Sequence, residues 1–196
     1  MQKILIASKN KHKVTEFAAL IPPSIEVFSL LDFPEYPDIA ETGNSFLENA
    51  FIKAKAGFQY TGLPTMADDS GLEVFALDNR PGIYSARYSG ENASSEENNK
   101  KLLVELTGIA DRRARFICQI AFVSGNEEFD CEGILNGTIA LSASGTTGFG
   151  YDPLFIPEGY HQSLASLGSD AKNEISHRAI ATEKFISFLN QKIKNH

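Results

Sequence analysis

The chain carries only two cysteines, Cys118 and Cys131, too few for a disulfide scaffold. Both sit in apolar, strand-like runs, which predicts reduced core thiols. No apolar run approaches the ~20 residues that a membrane-spanning helix requires. The opening Met1–Ala7 segment is too short for a signal h-region and reads as a first strand. Together these absences predict a cytoplasmic protein with no membrane partner. Positive charge is also scarce: 18 Lys and Arg stand against 25 Asp and Glu, a net charge of −7. Proteins that bind duplex DNA or RNA neutralise phosphates with a basic face, so nucleic acid is excluded as the partner. A small polyanion carried with Mg²⁺ needs only a few well-placed cations. No repeat and no long linker divides the 196 residues, which predicts a single domain over 1–196 with room for two lobes.

What is present alternates between strand and helix patterns. Residues 3–7 form an apolar run, and Val14, Phe17, Ala18 and Ile21 follow as a helical stripe that Pro22-Pro23 ends. Residues 25–28 read as a second strand, and Asp32 to Glu41 as a proline-interrupted loop. Ser45 and Glu48 form a capping-box pattern before a helix with Leu47, Ala50, Phe51, Ala54 and Phe58 on its buried stripe. Asn49 and Lys53 share the other face, placed to point together at something polar. Short strands are predicted at Pro64–Ala67 and Leu72–Phe75, a turn at Asn79–Gly82, and a second capping box at Ser94 and Glu97 before a helix ending near Leu106. Phe116–Val123 reads as a strand buried on both faces. Ser124–Glu127 fits a type II′ hairpin turn, with strand-like stretches through Ile134 and Ile139–Leu141. A last helix spans Ser176 to Ile193, with Ala181, Phe185, Phe188 and Leu189 on its core face. The class is α/β: a mixed sheet with flanking helices and a cleft between lobes.

Chemistry concentrates in five places. Asp68 and Asp69, in Ala67-Asp68-Asp69-Ser70-Gly71, sit where a strand is predicted to break into a turn. Adjacent carboxylates repel each other, and a hard cation such as Mg²⁺ relieves that repulsion; the same residues also fit an Asx turn. Ser8-Lys9-Asn10-Lys11-His12-Lys13 joins a strand to a helix, placing backbone N–H groups and the positive end of a helix dipole at the loop. That loop has no glycine and is no Walker A motif; Asn10 as an N-cap is its simpler use. In Gly145-Thr146-Thr147-Gly148-Phe149-Gly150-Tyr151-Asp152-Pro153 the glycines allow close backbone approach. Phe149 or Tyr151 could stack on a planar base and Asp152 could accept from a base N–H, or the aromatics could belong to the core. Lys172 to Arg178 opens the last helix, with His177 and Arg178 in the first turn, where cations oppose the dipole and imply an anionic or carbonyl partner. Ser85-Ala86-Arg87-Tyr88 supplies one more arginine.

Together these blocks are similar to the inosine triphosphate pyrophosphatases, also called dITP/XTP pyrophosphatases, over essentially the whole chain. The shared motifs are Ser8-x-Asn10-x-x-Lys13, Glu41-Thr42-Gly43 with Phe46-x-Glu48-Asn49-Ala50-x-x-Lys53-Ala54, and Ala67-Asp68-Asp69-Ser70-Gly71-Leu72. Pro81–Tyr88, Gly148-Phe149-Gly150-Tyr151-Asp152-Pro153 and Ser176-His177-Arg178 complete them. The resemblance implies an elongated mixed sheet with a nucleotide cleft between two lobes, usually in a homodimer. It also implies Mg²⁺-dependent hydrolysis of ITP, dITP or XTP between the α and β phosphates. By matched position, Ser8, Lys9, Asn10, Lys11, His12, Lys13 and Lys53 would grip the triphosphate, and Glu41 and Asp69 would position Mg²⁺. Asp69 would accept the proton of the attacking water, and Ser70 would touch the substrate. Phe149, Gly150, Tyr151, Asp152, Lys172, His177 and Arg178 would line the base pocket and adjoining phosphates. Lys13→Ala is then expected to raise KM while sparing thermal stability. Two rivals remain: a Maf-type pyrophosphatase acting on other nucleotides, against which Ser176-His177-Arg178 argues, and a nucleotide-binding module without catalysis, against which Asp68-Asp69 argues.

Overall fold

The computed structural model describes residues 2–194, with side chains for residues 3–192; Met1, part of the first-strand reading, lies outside the described residues, as do Asn195 and His196. The chain divides into two compact units. One comprises Met1–Asp69, Cys118–Gly133 and Arg178–His196; the other comprises Ser70–Ile117 and Ile134–His177.

Among the described residues the strands are β1 (Gln2–Ile6), β2 (Ile25–Ser29), β3 (Thr65–Val74), β4 (Arg80–Pro81), β5 (Arg113–Ser124), β6 (Glu127–Ile139) and β7 (Phe155–Pro157). They form a mixed sheet in the order β2-β1-β3-β5-β6-β7, with β4 paired to β3. β1 runs parallel to β2 and β3, whereas the β3/β4 and β6/β7 pairs are antiparallel. The helices are α1 (Lys11–Leu20), α2 (Phe46–Thr61), α3 (Ser95–Glu105), α4 (Leu164–Leu167), α5 (Ser169–Ile175) and α6 (His177–Lys194). No described helix is long and apolar enough to cross a membrane.

In the first unit the two-residue period of the strands sorts the core onto two faces. Ile4, Ile6, Met66, Cys118, Ile120 and Phe122 pack with Phe17 of α1 and Ala181, Phe185 and Leu189 of α6. Leu5, Ala7, Ala67, Ala121 and Val123 pack instead with Ala50 and Ala54 of α2. The second unit has one core, in which Leu72, Val74, Leu102, Phe116, Tyr151 and Phe155 come together.

The capping chemistry follows the expected positions with one variation. Ser94 and Glu97 make the full reciprocal box at α3. At α2 the Ser45 side chain accepts from the Glu48 N–H as expected, but the Glu48 carboxylate accepts from the Asn44 N–H at 2.7 Å. In the β5–β6 hairpin Gly125 has φ 61°, and Asn126 is not among the residues with positive φ. That combination fits a type II′ turn and not type I′.

Four expectations change. β3 does not break at the aspartates: it runs unbroken through Asp68, Asp69, Ser70 and Gly71, because each carboxylate meets cations brought by distant segments. The strands expected around Ile134 and Ile139 are the single β6, which ends at Ile139 and leaves Leu141 exposed. Lys172 does not open the last helix; it closes the separate helix α5, and Ser176 adopts the extended backbone between α5 and α6. On α2 the fully buried positions are Phe46, Asn49, Ala50, Ala54 and Gly57, so Asn49 lies within the buried face, not opposite it. The short strand β7 and helices α4 and α5 were not foreseen, since none is long enough to show a period.

Candidate active site

Strand alternation sends Asp68 and Asp69 to opposite faces of β3, so the two adjacent carboxylates take different hydrogen-bond partners. Asp68, 2% exposed, falls on the Met66 side. Lys13 of α1 donates to its Oδ2 at 2.8 Å, and Arg178 of α6 reaches the same oxygen at 3.8 Å. The Arg178 guanidinium is buried, also pairs with Glu16 and lies 5.5 Å from the Phe17 ring. Lys13, Glu16 and Phe17 recur at helical spacing, so one face of α1 carries the cation for Asp68, the anion for Arg178 and the apolar floor beneath it. Burial alone would lift the Asp68 carboxyl, but the Lys13, Arg178 and Lys53 cations outweigh it and hold the group far below the ordinary carboxylate range. Asp68 is a permanent anion. Within the protein, the anions that meet the cation in the first turn of α6 are Asp68 and Glu16.

Asp69, 6% exposed, falls on the Ala67 side and meets α2. Asn49 donates to its Oδ2 at 3.2 Å and Lys53 to its Oδ1 at 3.3 Å. Asn49 and Lys53, expected to point together at something polar, point at Asp69. Lys53 also donates to Glu41 Oε1 at 3.0 Å, which ties the loop before α2 to the strand. Asn49 Oδ1 in turn accepts from the Gly43 N–H at 2.8 Å. A Cβ on Gly43 would lie 2.7 Å from Glu48 Cβ and 2.8 Å from Asn49 Oδ1, which explains a glycine there without any unusual φ. Here burial lifts the carboxyl pKa; Lys53 and Lys13 pull it down, Glu41 and Asp68 push it up, and the outcome is raised. Lys53 is raised as well: burial opposes its charge, but Asp69, Asp68 and Glu41 outweigh that cost.

The loop Ser8–Lys13 does less with its backbone than its sequence suggests. Asn10 Oδ1 accepts from the His12 and Lys13 N–H groups at 3.0 and 3.3 Å, and Ser8 Oγ accepts from the Asn10 N–H at 3.2 Å. Asn10 is thus the N-cap of α1. Lys9 turns away to donate to the Tyr36 carbonyl at 2.9 Å and to Asp38 Oδ1 at 2.7 Å, so it serves a neighbouring loop. Lys11 and His12 present exposed side chains in the first turn of α1.

The second unit gathers another group. Lys172, buried, donates to Asp152 Oδ2 at 2.6 Å, and the same oxygen accepts from the Phe149 N–H at 2.9 Å. The Lys172 ammonium stands 4.5 Å from the Phe149 ring centroid, a cation–π contact. Gly148 has φ 79° and any Cβ there would collide with Asp152 Oδ2, so the glycine lets the loop close on the carboxylate. The Gly150 carbonyl accepts from Asn99 Nδ2 at 3.0 Å. Half-buried Phe149 and Asn99 border an open groove of about 1010 Å³. The Tyr151 ring is in the core and its hydroxyl donates to the Ser85 carbonyl at 2.9 Å. His177 is buried and stacks on Phe116, with centroids 4.7 Å apart and planes 12° apart. Ser70, half-buried, begins this unit's share of β3. Glu16, Tyr36 and Asp38 were not expected beside these groups; the spacing of Glu16 from Lys13 was the available signal for one of them.

The fold and site together define a mixed α/β sheet whose interior strand buries two carboxylates against lysines and an arginine. The chain belongs to the Ham1 family, whose model matches residues 4–188. It is 48% identical over 185 residues to the dITP/XTP pyrophosphatase of Geobacter sulfurreducens, covering 92% of this chain and 93% of that protein. It is 47% identical over 195 residues to the dITP/XTP pyrophosphatase of Bacillus licheniformis, covering 97% and 100%. Among solved structures it is similar to the Staphylococcus aureus Ham1 protein, with a TM-score of 0.89 and 41% identity over 97% of this chain and 100% of that one. The Coxiella burnetii HAM1 protein gives a TM-score of 0.90 at 40% identity, with the same coverage.

Proposed function

We propose that this chain is a nucleoside triphosphate pyrophosphatase that hydrolyses non-standard purine nucleotides, ITP, dITP and XTP, to the monophosphate and pyrophosphate. The observation that carries the proposal is the pair Asp68 and Asp69, buried on opposite faces of β3 and held by Lys13 on one side and by Asn49 and Lys53 on the other, in a chain nearly half identical to dITP/XTP pyrophosphatases. Phosphoryl chemistry asks a protein for positioning and charge neutralisation. Asp69, buried and held by Asn49 and Lys53, is the proton acceptor for the attacking water. Its raised pKa brings it closer to the operating pH, which favours general-base catalysis. Ser8, Asn10, Lys11, His12, Lys13 and Lys53 form the triphosphate grip at the N-terminal end of α1 and on α2.

The donor set fits Mg²⁺. Glu41 and Asp69 offer hard oxygens tied to one another through Lys53. No group of three or more His, Cys, Asp or Glu that could cage a metal occurs among the described residues. One or two carboxylates plus substrate phosphates is the way Mg²⁺ is usually held. When bound, it supplies neutralisation of phosphate charge and a more acidic water.

Base choice falls to the second unit. Phe149 is the stacking platform, and Lys172 and His177 are the donors that reward a 6-oxo group and mispair with a 6-amino group. Each mispaired buried polar group costs about 1–3 kcal/mol, so two supply roughly 10²-fold or more against adenine nucleotides. Asp152 keeps Lys172 and Phe149 in register. The enzyme works as a single two-lobed domain, a homodimer in the cytoplasm. Pyrophosphate release from ITP, dITP, XTP, ATP, UTP and dUTP, with Mg²⁺ and with chelator, tests the assignment. Release confined to the 6-oxo purines and lost on chelation is expected. Equal release from UTP would point to a Maf-type enzyme, and no release at all to a binding module.

A further inference from the structure

Lys9 belongs to the segment expected to grip phosphate, yet its ammonium makes two bonds to a different loop. It donates to the Tyr36 carbonyl at 2.9 Å and to Asp38 Oδ1 at 2.7 Å, 5.8 Å from the Tyr36 ring. The loop it holds runs from Phe33 to α2. Its first part is well anchored: the Tyr36 ring is buried and meets Tyr60 of α2 edge-on at 5.1 Å, and Phe33 meets the Tyr60 ring at 6.4 Å. Its last part is anchored by Glu41 on Lys53 and the Gly43 N–H on Asn49. Between these anchors Pro37, Asp38 and Ala40 are exposed, and only Ile39 is half-buried. A stretch with so few buried contacts opens easily, and Lys9 is the cation that restrains it.

We propose that Lys9 is a positioning residue: by clamping Tyr36–Asp38 it fixes the loop that delivers Glu41 to Lys53 and Asp69. The inference rests on the proposed role of Glu41 toward Mg²⁺. It gives one short segment two tasks, since Ser8, Asn10 and Lys13 serve phosphate and α1 while Lys9 secures the metal-side carboxylate. Asp38 is highly exposed, so its ion pair is screened and modest; the bond to the Tyr36 carbonyl adds direction that salt does not erase.

The test pairs two readouts on Lys9→Met, Lys9→Arg and Asp38→Asn. In metal-free, nucleotide-free protein, amide hydrogen exchange of residues 33–44 should quicken about threefold in Lys9→Met, the range a partly exposed ion pair supports. Exchange in α1 and α2 should hold steady. The Mg²⁺ concentration giving half-maximal ITP hydrolysis should rise by a similar factor, more than KM for ITP does. Lys9→Arg should restore both readouts, and Asp38→Asn should show a smaller change of the same sign. Unchanged exchange over 33–44 in Lys9→Met overturns the proposal, and a raised KM at saturating Mg²⁺ alongside it makes Lys9 a phosphate ligand. If the wild-type chain releases no pyrophosphate from ITP, the proposed function falls, while the exchange result still decides whether Lys9 holds the loop.

Discussion

The two faces of β3 treat chemically identical, adjacent side chains in opposite ways. Asp68 looks toward α1 and α6, where Lys13 and Arg178 converge on one oxygen, and its pKa is driven down. Asp69 looks toward α2, where Asn49 and Lys53 hold it but burial prevails, and its pKa is driven up. The consequences for stability have opposite signs. A depressed folded pKa stabilises above the unfolded value and is lost as pH falls through the folded one; a raised folded pKa stabilises below the unfolded value and is lost as pH rises. At neutral pH, Asp68 therefore holds the fold together, whereas Asp69 is an anion maintained at the expense of stability. Such a cost is expected where chemistry is done.

The largest effect should come from Asp69→Asn. Loss of a general base costs about 10²–10⁴ in rate, and kcat for ITP should fall by that much. Next is Asp68→Asn, which leaves Lys13 and Arg178 facing a neutral group. Breaking a buried pair costs about 3–5 kcal/mol, or about 10 °C in Tm for a chain this size, read by scanning calorimetry. Lys13→Ala should raise KM, as its sequence position predicts, but it should also lower Tm by several degrees. The expectation that it spares stability is corrected, since its ammonium compensates a buried carboxylate. Gly43→Ala should force the loop off Asn49, an overpacking cost of about 1–3 kcal/mol. Its signature should be a weakened response to Mg²⁺, with Asp68 and its helices undisturbed.

Much of the frame was legible because it rests on local rules. The first strand, the Asn10, Ser45 and Ser94 caps, the hairpin at Gly125 and the core face of α6 all follow from periods and capping chemistry within a few residues. The site was legible as a list of residue types, and less so as an arrangement. The continuity of β3 could not be read, because a strand carrying two adjacent aspartates is tolerable only if Lys13 and Arg178 arrive from 55 and 110 residues away. Arg178 and Glu16 pair across 162 residues, a contact that no local reading supplies. Phe149 and Tyr151 look alike in a glycine-rich loop, and only the fold shows that the core takes the Tyr151 ring. The bonds of Lys9 to Tyr36 and Asp38 were not legible, because they cross 27 and 29 residues.

The difference between the faces is tested most directly by measuring melting temperature and ITP turnover together on Asp68→Asn and Asp69→Asn. A crossed pattern is expected: Asp69→Asn melts within a few degrees of wild type but has lost turnover, and Asp68→Asn melts about 10 °C lower while keeping measurable turnover at a temperature where it is folded. Near wild-type turnover by Asp69→Asn, or equal thermal losses in both variants, would contradict it.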